Sequence, residues 1–202
     1  MINNMVKKIF SIEGNIGAGK SSVLEIIQKQ YTVYYEDISA WKFLDEFYQD
    51  KKRWAFTLQT SILKTMKKQY SEIMSLKDDV IFIERSPQSS LIFAQMLYQS
   101  NHMNDKEYEL IVDLYNEFKW YPTETFFINT PVSICFKRMR QRDRECERNV
   151  DEDYLNRLNS LYMEKIGDTA IVIDYNDYIN FLDKSPQEIA NEIMDHVKIN
   201  YK

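Results

Sequence analysis

Glycine, proline and cysteine are scarce in this sequence of 202 residues, which contains four glycines, four prolines and two cysteines. Cys135 and Cys146 lack the spacing of a paired zinc motif or of a Cys-x-x-Cys redox pair, so both are predicted to be free thiols in a reducing compartment. A chain of this length buries a core that needs no disulfide bonds. It is interpreted as one domain that spans residues 1–202.

Long apolar runs and an excess of positive charge are absent as well. No apolar stretch approaches the roughly 18 residues of a membrane-spanning helix, and the N-terminus lacks the apolar segment of a signal peptide. The net charge of −5 disfavours general binding to nucleic acids or to anionic membranes, whereas small anionic ligands remain open. The sequence therefore predicts a cytoplasmic protein without a nucleic-acid or membrane partner.

Three of the four glycines fall within six residues, in a segment with the spacing G-x-x-x-x-G-K-S. The segment follows a short apolar run and precedes an amphipathic pattern, which is the context of a phosphate-binding loop rather than of an ordinary turn. In such a loop Lys20 reaches the β- and γ-phosphates and the Ser21 hydroxyl ligates Mg²⁺. The residues predicted to bind ATP here are Gly14, Asn15, Ile16, Gly17, Ala18, Gly19, Lys20, Ser21 and Ser22.

Five short runs rich in β-branched and aromatic residues alternate with helical patterns. The runs cover residues 8–12, 32–35, 80–83, 125–128 and 170–173 and are typical of buried parallel strands. Apolar spacing predicts helices over residues 20–30, 40–49, 52–76, 87–100, 105–118, 131–144, 151–166 and 186–199. The sequence thus predicts an α/β fold with a five-stranded parallel sheet flanked by helices.

Charged residues follow the predicted strands, where ligands of open parallel sheets bind. Glu84 and Arg85 end the third strand, and the Glu84 carboxylate is predicted to hold Mg²⁺ together with the loop serine. Glu36 ends the second strand, where a carboxylate can face the γ-phosphate as a general base. Asp37 beside it is interpreted as a helix N-cap. Asp174, at the end of the fifth strand, is assigned to the ATP site.

The densest basic cluster has five arginines between residues 138 and 148, where a predicted helix gives way to a polar loop. Such a run is most often a solvated helix end, and the helix dipole alone favours it. A P-loop kinase, however, needs mobile arginines that close over the phosphates and neutralise charge in the transition state. An arginine-rich lid is predicted over about residues 138–150.

The motifs, in this order, resemble those of the deoxynucleoside kinases, which include deoxycytidine, deoxyguanosine and mitochondrial-type thymidine kinases and a broad-specificity insect enzyme. The resemblance runs from about residue 8 to about residue 175. It implies ATP as the phosphate donor, Mg²⁺ as the metal and a homodimer. The positions that carry it are residues 12–22, Glu36, Trp41, Tyr48, residues 53–56, Gln59, residues 84–86, Arg142, Arg144 and Glu147.

The resemblance implies roles for the matching residues. Glu36 would take the proton of the 5′-hydroxyl, with Arg85 near the same hydroxyl. Arg142 and Arg144 would close on the phosphates, and Arg138 would lie near the adenine of ATP. The predicted catalytic residues are therefore Lys20, Glu36, Arg85, Arg142 and Arg144.

The nucleoside would occupy a second pocket. The residues implied to line it, besides Glu36 and Arg85, are Tyr48 and Glu147 at the 3′-hydroxyl, Gln59 at the base, and Trp41, Met66 and Phe93 around the ring. Without the resemblance, the last three would be interpreted as core residues.

The segment 84–93 departs from the family pattern. It is one residue short and lacks the Asp-Arg pair associated with deoxycytidine and purine use, and its Ser-Pro is closer to herpesvirus-type thymidine kinases. Gln59 presents one donor and one acceptor, which pair with thymine or, after rotation of the amide, with cytosine. A serine at Ser89 or Ser90 leaves room for the thymine methyl group. The sequence leans toward thymidine and other pyrimidines.

Two other functions remain open at this point. A nucleoside monophosphate kinase such as thymidylate kinase shares the fold and the lid, but Glu36 would repel the phosphate of its acceptor. A regulatory module that uses ATP as a switch would not need a second pocket lined by polar side chains.

Overall fold

The computed structural model describes residues 7–118, 120–177 and 182–201. Its main sheet has five parallel strands in the order β2-β3-β1-β4-β5. The strands are β1 (Lys8–Glu13), β2 (Thr32–Tyr34), β3 (Val80–Glu84), β4 (Glu124–Asn129) and β5 (Ile171–Asp174). All five predicted strands are confirmed, with ends that differ only by single residues.

Eight α-helices within the described residues surround the sheet. They are α1 (Lys20–Ile27), α2 (Leu44–Gln49), α3 (Lys51–Ser75), α4 (Pro87–Gln99), α5 (Asp105–Phe118), α6 (Val132–Arg142), α7 (Glu152–Ile166) and α8 (Pro186–Asn200). Short 3₁₀ turns cover Ile38–Ala40 and Glu145–Glu147. None of the helices in the described ranges is long and apolar enough to cross a bilayer.

Three predicted helix bounds are wrong by two residues or more. The helix expected over 20–30 ends at Ile27, because the N–H groups of residues 29 and 30 donate to carbonyls only three positions back. The helix expected at 40–49 begins only at Leu44, because the preceding chain forms consecutive tight turns in which the Trp41 N–H donates to the Ile38 carbonyl. The helix expected to reach residue 144 ends at Arg142, because Asp143 takes a left-handed φ of 42°. The differences at Leu44 and Arg142 lie beside the candidate site.

A small antiparallel hairpin, β6 (Asn176–Asp177) with β7 (Leu182–Asp183), follows the main sheet and was not predicted. Strands of two residues have no hydrophobic periodicity to detect. Cys135 is a buried free thiol, as predicted, whereas the side chain of Cys146 lies outside the described part of the structure.

Helices cover both faces of the sheet. Phe10, Phe82 and Phe126 belong to a core with residues of α1 and α8, on one face. Ile81 packs with α3, and Phe127 packs with α4 and α7. Burial on both faces explains the near-continuous apolar strands. Polar side chains of the sheet therefore gather where the strands end.

Candidate active site

A cavity of about 500 Å³ opens at the carboxyl edge of the sheet, and almost every predicted site residue lines it. The predicted residues in its wall are Ile16, Gly17, Gly19, Lys20, Ser21, Ser22, Glu36, Trp41, Tyr48, Gln59, Met66, Glu84, Arg85, Phe93, Arg138, Arg142, Arg144 and Glu147. Gly14, Asn15 and Ala18 are buried behind this wall, in the same loop. The structure thus brings together residues from widely separated parts of the chain.

The loop between β1 and α1 is held by contacts that restrict which residues it can contain. Gly17 has a φ of 80°, and a Cβ atom there would lie 2.4 Å from the Cys135 carbonyl oxygen. The Asn15 side chain donates to the Leu155 carbonyl at 2.9 Å, which ties the loop to α7. The Ala18 carbonyl accepts a hydrogen bond from the Thr130 hydroxyl at 2.9 Å. The loop is therefore a preformed turn supported from several sides.

Lys20 is a buried cation inside this loop. Its ammonium donates to the carbonyl oxygens of Asn15 at 3.0 Å and of Gly14 at 3.4 Å. Burial, together with the nearby charge of Arg85, lowers the pKa of Lys20 to about 8, although neighbouring carboxylates oppose the shift. A strongly anionic ligand at this position would favour the charged amine.

Ser21 and Glu84 form a pair of oxygen donors next to the loop. The Ser21 hydroxyl, in the first turn of α1, donates to Glu84 Oε1 at 3.0 Å, and Glu84 is buried at the end of β3. Within the described residues there is no group of three or more acidic, histidine or cysteine side chains that could hold a metal ion. A hydroxyl and one carboxylate fit Mg²⁺, which usually takes its remaining ligands from waters and phosphates.

Glu36 and Arg85 lie just beyond the carboxyl ends of β2 and β3 and form an ion pair. Arg85 Nε lies 3.0 Å from Glu36 Oε1, and the two side chains are 5% and 13% exposed. Arg85 has a φ of 63°, a conformation rare for a residue with a long side chain. Its Nη1 atom donates a hydrogen bond to the Gly14 carbonyl at 3.1 Å, so the guanidinium connects Glu36 with the phosphate-binding loop.

The far end of the cavity has a polar spot in an otherwise apolar wall. Gln59, on α3, is 3% exposed, and its Oε1 accepts a hydrogen bond from the Ser90 hydroxyl at 3.1 Å. Trp41, Met66 and Phe93 line the same cavity. A buried amide beside aromatic rings suits a flat heterocycle with hydrogen-bonding groups at its edge.

Two arginines of the predicted lid converge on one carboxylate. Arg142 donates to Glu147 through Nε at 2.9 Å and Nη2 at 2.5 Å, and Arg144 Nη1 lies 3.6 Å away. Arg140, in α6, donates to the Val150 carbonyl at 2.9 Å and so ties α6 to the chain just before α7. Arg142 and Arg144 are 34% and 43% exposed, so they border solvent at the rim of the cavity.

Asp174 is not brought to the cavity with the other predicted residues. Its carboxylate accepts a hydrogen bond from the Asn129 amide at 2.8 Å, across β4 and β5. Arg138 contacts Tyr175, the residue after Asp174. Its guanidinium lies 4.8 Å from the centre of the Tyr175 ring and donates a hydrogen bond to the Tyr175 hydroxyl.

Asp37 occupies the N-cap position only of a 3₁₀ turn, and its side chain makes no capping bond to the backbone. The carboxylate accepts from the Ser39 hydroxyl instead. The expected N-cap role is therefore wrong in its detail.

Sequence reasoning missed three buried polar residues behind Arg85: Glu13, Ser89 and Tyr162. Glu13 follows an apolar strand, and a carboxylate at a strand end was a detectable signal. Ser89 was considered only as a source of space near the base. Tyr162 occurs at helical spacing among apolar residues, and that pattern is indistinguishable from core.

A parallel sheet with this strand order, and with a phosphate-binding loop after its central strand, is the fold of the P-loop kinases. The family model for deoxynucleoside kinases matches residues 10–198, so the chain belongs to the deoxynucleoside kinase family and is a kinase. The resemblance found in the motifs is confirmed.

Individual relatives agree with this family. A putative kinase protein of Invertebrate iridescent virus 3 is 36% identical over 171 residues, covering 83% of this chain and 88% of the relative. A probable deoxycytidine kinase of Fowlpox virus is 32% identical over 216 residues, covering 96% and 90%. The structure of a deoxyadenosine kinase from M. mycoides matches with a TM-score of 0.81 at 22% identity, covering 95% and 99%. The names of these relatives differ in the base, so the comparisons leave base preference open.

Proposed function

We propose that this kinase transfers the γ-phosphoryl group of ATP to the 5′-hydroxyl of a deoxynucleoside, with a preference for thymidine and other pyrimidines. The observation that carries the proposal is the Glu36–Arg85 pair, 3.0 Å apart between the phosphate-binding loop and the polar spot at Gln59. The 5′-hydroxyl of a nucleoside whose base is bound at Gln59 would meet, at this pair, the γ-phosphate of a triphosphate bound at the loop.

Phosphoryl transfer depends mainly on positioning and on charge stabilisation. In the proposed reaction Glu36 accepts the proton of the 5′-hydroxyl, the oxygen forms a bond to the γ-phosphorus, and the bond to the β–γ bridging oxygen breaks to release ADP. Lys20 would bind the β- and γ-phosphates. Once the lid has closed, Arg142 and Arg144 would neutralise the charge that develops on the phosphates in the transition state. Arg85 orients Glu36.

Ser21 and Glu84 are proposed to hold Mg²⁺, because they supply adjacent oxygen donors at the loop. When bound, the ion would neutralise charge on the phosphate oxygens.

The hydrogen bond between Ser90 and Gln59 supports the lean toward thymidine among the pyrimidines. Ser90 occupies one lone pair of Oε1, which leaves a second lone pair and the Nε2 donors for the base. One acceptor and one donor are complementary to N3–H and O4 of thymine. Cytosine requires the amide to rotate, which moves Oε1 away from the Ser90 hydroxyl.

The proposal also includes a single domain over residues 1–202, a homodimer and a cytoplasmic location. These three points rest on the composition and on the family resemblance, and they stay predictions.

A competition assay tests the proposed reaction and its base preference. Thymidine, deoxycytidine, deoxyadenosine and deoxyguanosine are offered together at equal concentration with ATP and Mg²⁺, and the products are separated by chromatography. We expect the two pyrimidine 5′-monophosphates to dominate in relative kcat/KM, and no product when the metal is chelated. Dominant purine products would contradict the preference alone, whereas a requirement for a monophosphate as the acceptor would overturn the proposed reaction.

The lowered pKa of Lys20 predicts how ATP binding depends on pH. A bound triphosphate favours the charged amine, whose pKa in the free protein is about 8. Affinity should therefore be insensitive to this group below that pH and fall by up to about tenfold per pH unit above it. Calorimetry with a non-hydrolysable ATP analogue between about pH 7 and about pH 9.5 measures the slope, in a range above the reference pKa of histidine.

Lys20→Arg is the matched variant, because a guanidinium stays charged over this range. Its affinity, whatever the absolute value, should not fall with pH. An unchanged wild-type affinity up to the highest pH would contradict the predicted link between the lowered pKa of Lys20 and phosphate binding.

A further inference from the structure

A continuous chain of buried hydrogen bonds begins at Arg85 and ends at a carboxylate that the proposed reaction does not use. Arg85 Nη1 donates to the Tyr162 hydroxyl, which lies 2.8 Å from Ser89 Oγ, and Ser89 donates to Glu13 Oε2. The other carboxylate oxygen of Glu13 accepts the Ser86 N–H at 2.7 Å. The four side chains are at most 5% exposed and come from β1, α4, α7 and the end of β3.

The chemistry of its members sets the direction of this chain. A guanidinium has donors and no acceptor, so the Tyr162 oxygen must accept from Arg85. The Tyr162 proton is then directed to Ser89, whose own proton is directed to Glu13. Every bond points from the cation toward the carboxylate, an arrangement in which each bond polarises the next.

The carboxyl group of Glu13 is almost completely buried, which is unfavourable for its charged form. Burial raises the pKa of its carboxyl group above the usual value, although the charge of Arg85 and the hydrogen bonds from Ser89 and Ser86 oppose this shift. Keeping a carboxylate there costs stability unless its partners are present. An apolar residue would fill the same volume without this cost, so the network is expected to have a function besides packing.

We infer that Tyr162, together with Ser89 and Glu13, positions the Arg85 guanidinium against Glu36. This inference rests on the proposed function, because it assigns Tyr162 as a positioning residue for the same reaction. Arg85 leaves β3 in a strained left-handed conformation, and its Nη1 amine is fixed by the Gly14 carbonyl on one side and by Tyr162 on the other. Two fixed bonds at Nη1 set the plane of the guanidinium and hence the place of Nε beside Glu36.

The test is a double-mutant cycle between Tyr162 and Arg85, measured as kcat under saturating ATP and nucleoside. Tyr162→Phe removes only the hydroxyl and keeps the ring that packs against Phe127 and Phe93. We expect kcat to fall about tenfold, with KM for both substrates within about twofold. In an Arg85→Lys background the same change should alter kcat by less than about twofold, because the group that Tyr162 positions is already lost.

Tyr98→Phe is the matched control, because it also removes a tyrosine hydroxyl bond, to Asp105 at 3.1 Å, away from the cavity. It should leave kcat unchanged. Ser89→Ala interrupts the chain one step further on and provides the same test if Tyr162→Phe does not fold. Equal losses in the wild-type and Arg85→Lys backgrounds would show a purely structural role and overturn the inference. So would an unchanged kcat, whereas a wild-type protein without nucleoside kinase activity would overturn the proposed function itself.

Discussion

Replacing Glu36 with glutamine is expected to lower the rate of phosphoryl transfer about 10²–10⁴-fold. Glutamine keeps the shape of the side chain and an oxygen that can remain beside Arg85 Nε. It cannot take the proton of the attacking hydroxyl. ATP affinity and melting temperature should therefore stay close to those of the wild type. Single-turnover measurements separate the chemical step from product release.

Asp37→Asn provides the matched control for this change. It removes a neighbouring carboxylate that is exposed and bonded to Ser39 rather than to Arg85. We expect its turnover to remain near the wild-type value. If Glu36→Gln keeps activity within a few-fold of wild type, the base must be sought elsewhere.

Replacing Lys20 with alanine is expected to reduce both ATP binding and turnover, with a loss in kcat of about 10²–10³-fold. The ammonium lies inside the loop, 3.0 Å from the Asn15 carbonyl, where it would contact the triphosphate both before and during transfer. Arg144→Ala should differ, because a rim arginine contributes mainly when the lid closes. Its kcat should fall while ATP affinity stays within a few-fold.

Lys29→Ala is the control for this pair, since it removes an exposed lysine just after the same helix. Titration with a non-hydrolysable ATP analogue measures affinity, and steady-state kinetics measures kcat. Unaltered nucleotide binding by Lys20→Ala would contradict the assignment of the phosphate-binding loop.

Local patterns explain why much of the fold and site could be predicted. A buried parallel strand is a continuous apolar run, and the phosphate-binding loop is a contiguous motif, so both are visible within a few residues. Gln59 and Glu147 could be assigned only through the family resemblance, because nothing in their neighbourhood marks them as polar residues of a pocket. The structure then places both in the same cavity.

Long-range contacts account for what was missed. Glu13, Ser89 and Tyr162 are bonded to one another although at least 73 residues separate each bonded pair. Helical periodicity assigns Tyr162 to the core correctly but says nothing of its hydroxyl. Asp174 was assigned by its place at a strand end, yet its carboxylate is bonded to Asn129 on the neighbouring strand. A strand end indicates the edge of the sheet and not the direction of a side chain.

The contact between Gly17 and Cys135 has a mechanical consequence. Because there is no room for even a methyl group between them, the first turn of α6 cannot shift toward the phosphate-binding loop without displacing its backbone. We therefore expect the predicted arginine lid to bend at residues after this contact, and we propose Asp143, where the backbone turns left-handed, as its hinge. Insertions or altered loop lengths that tune closure should be introduced beyond that hinge, since changes before it would displace the phosphate-binding loop itself.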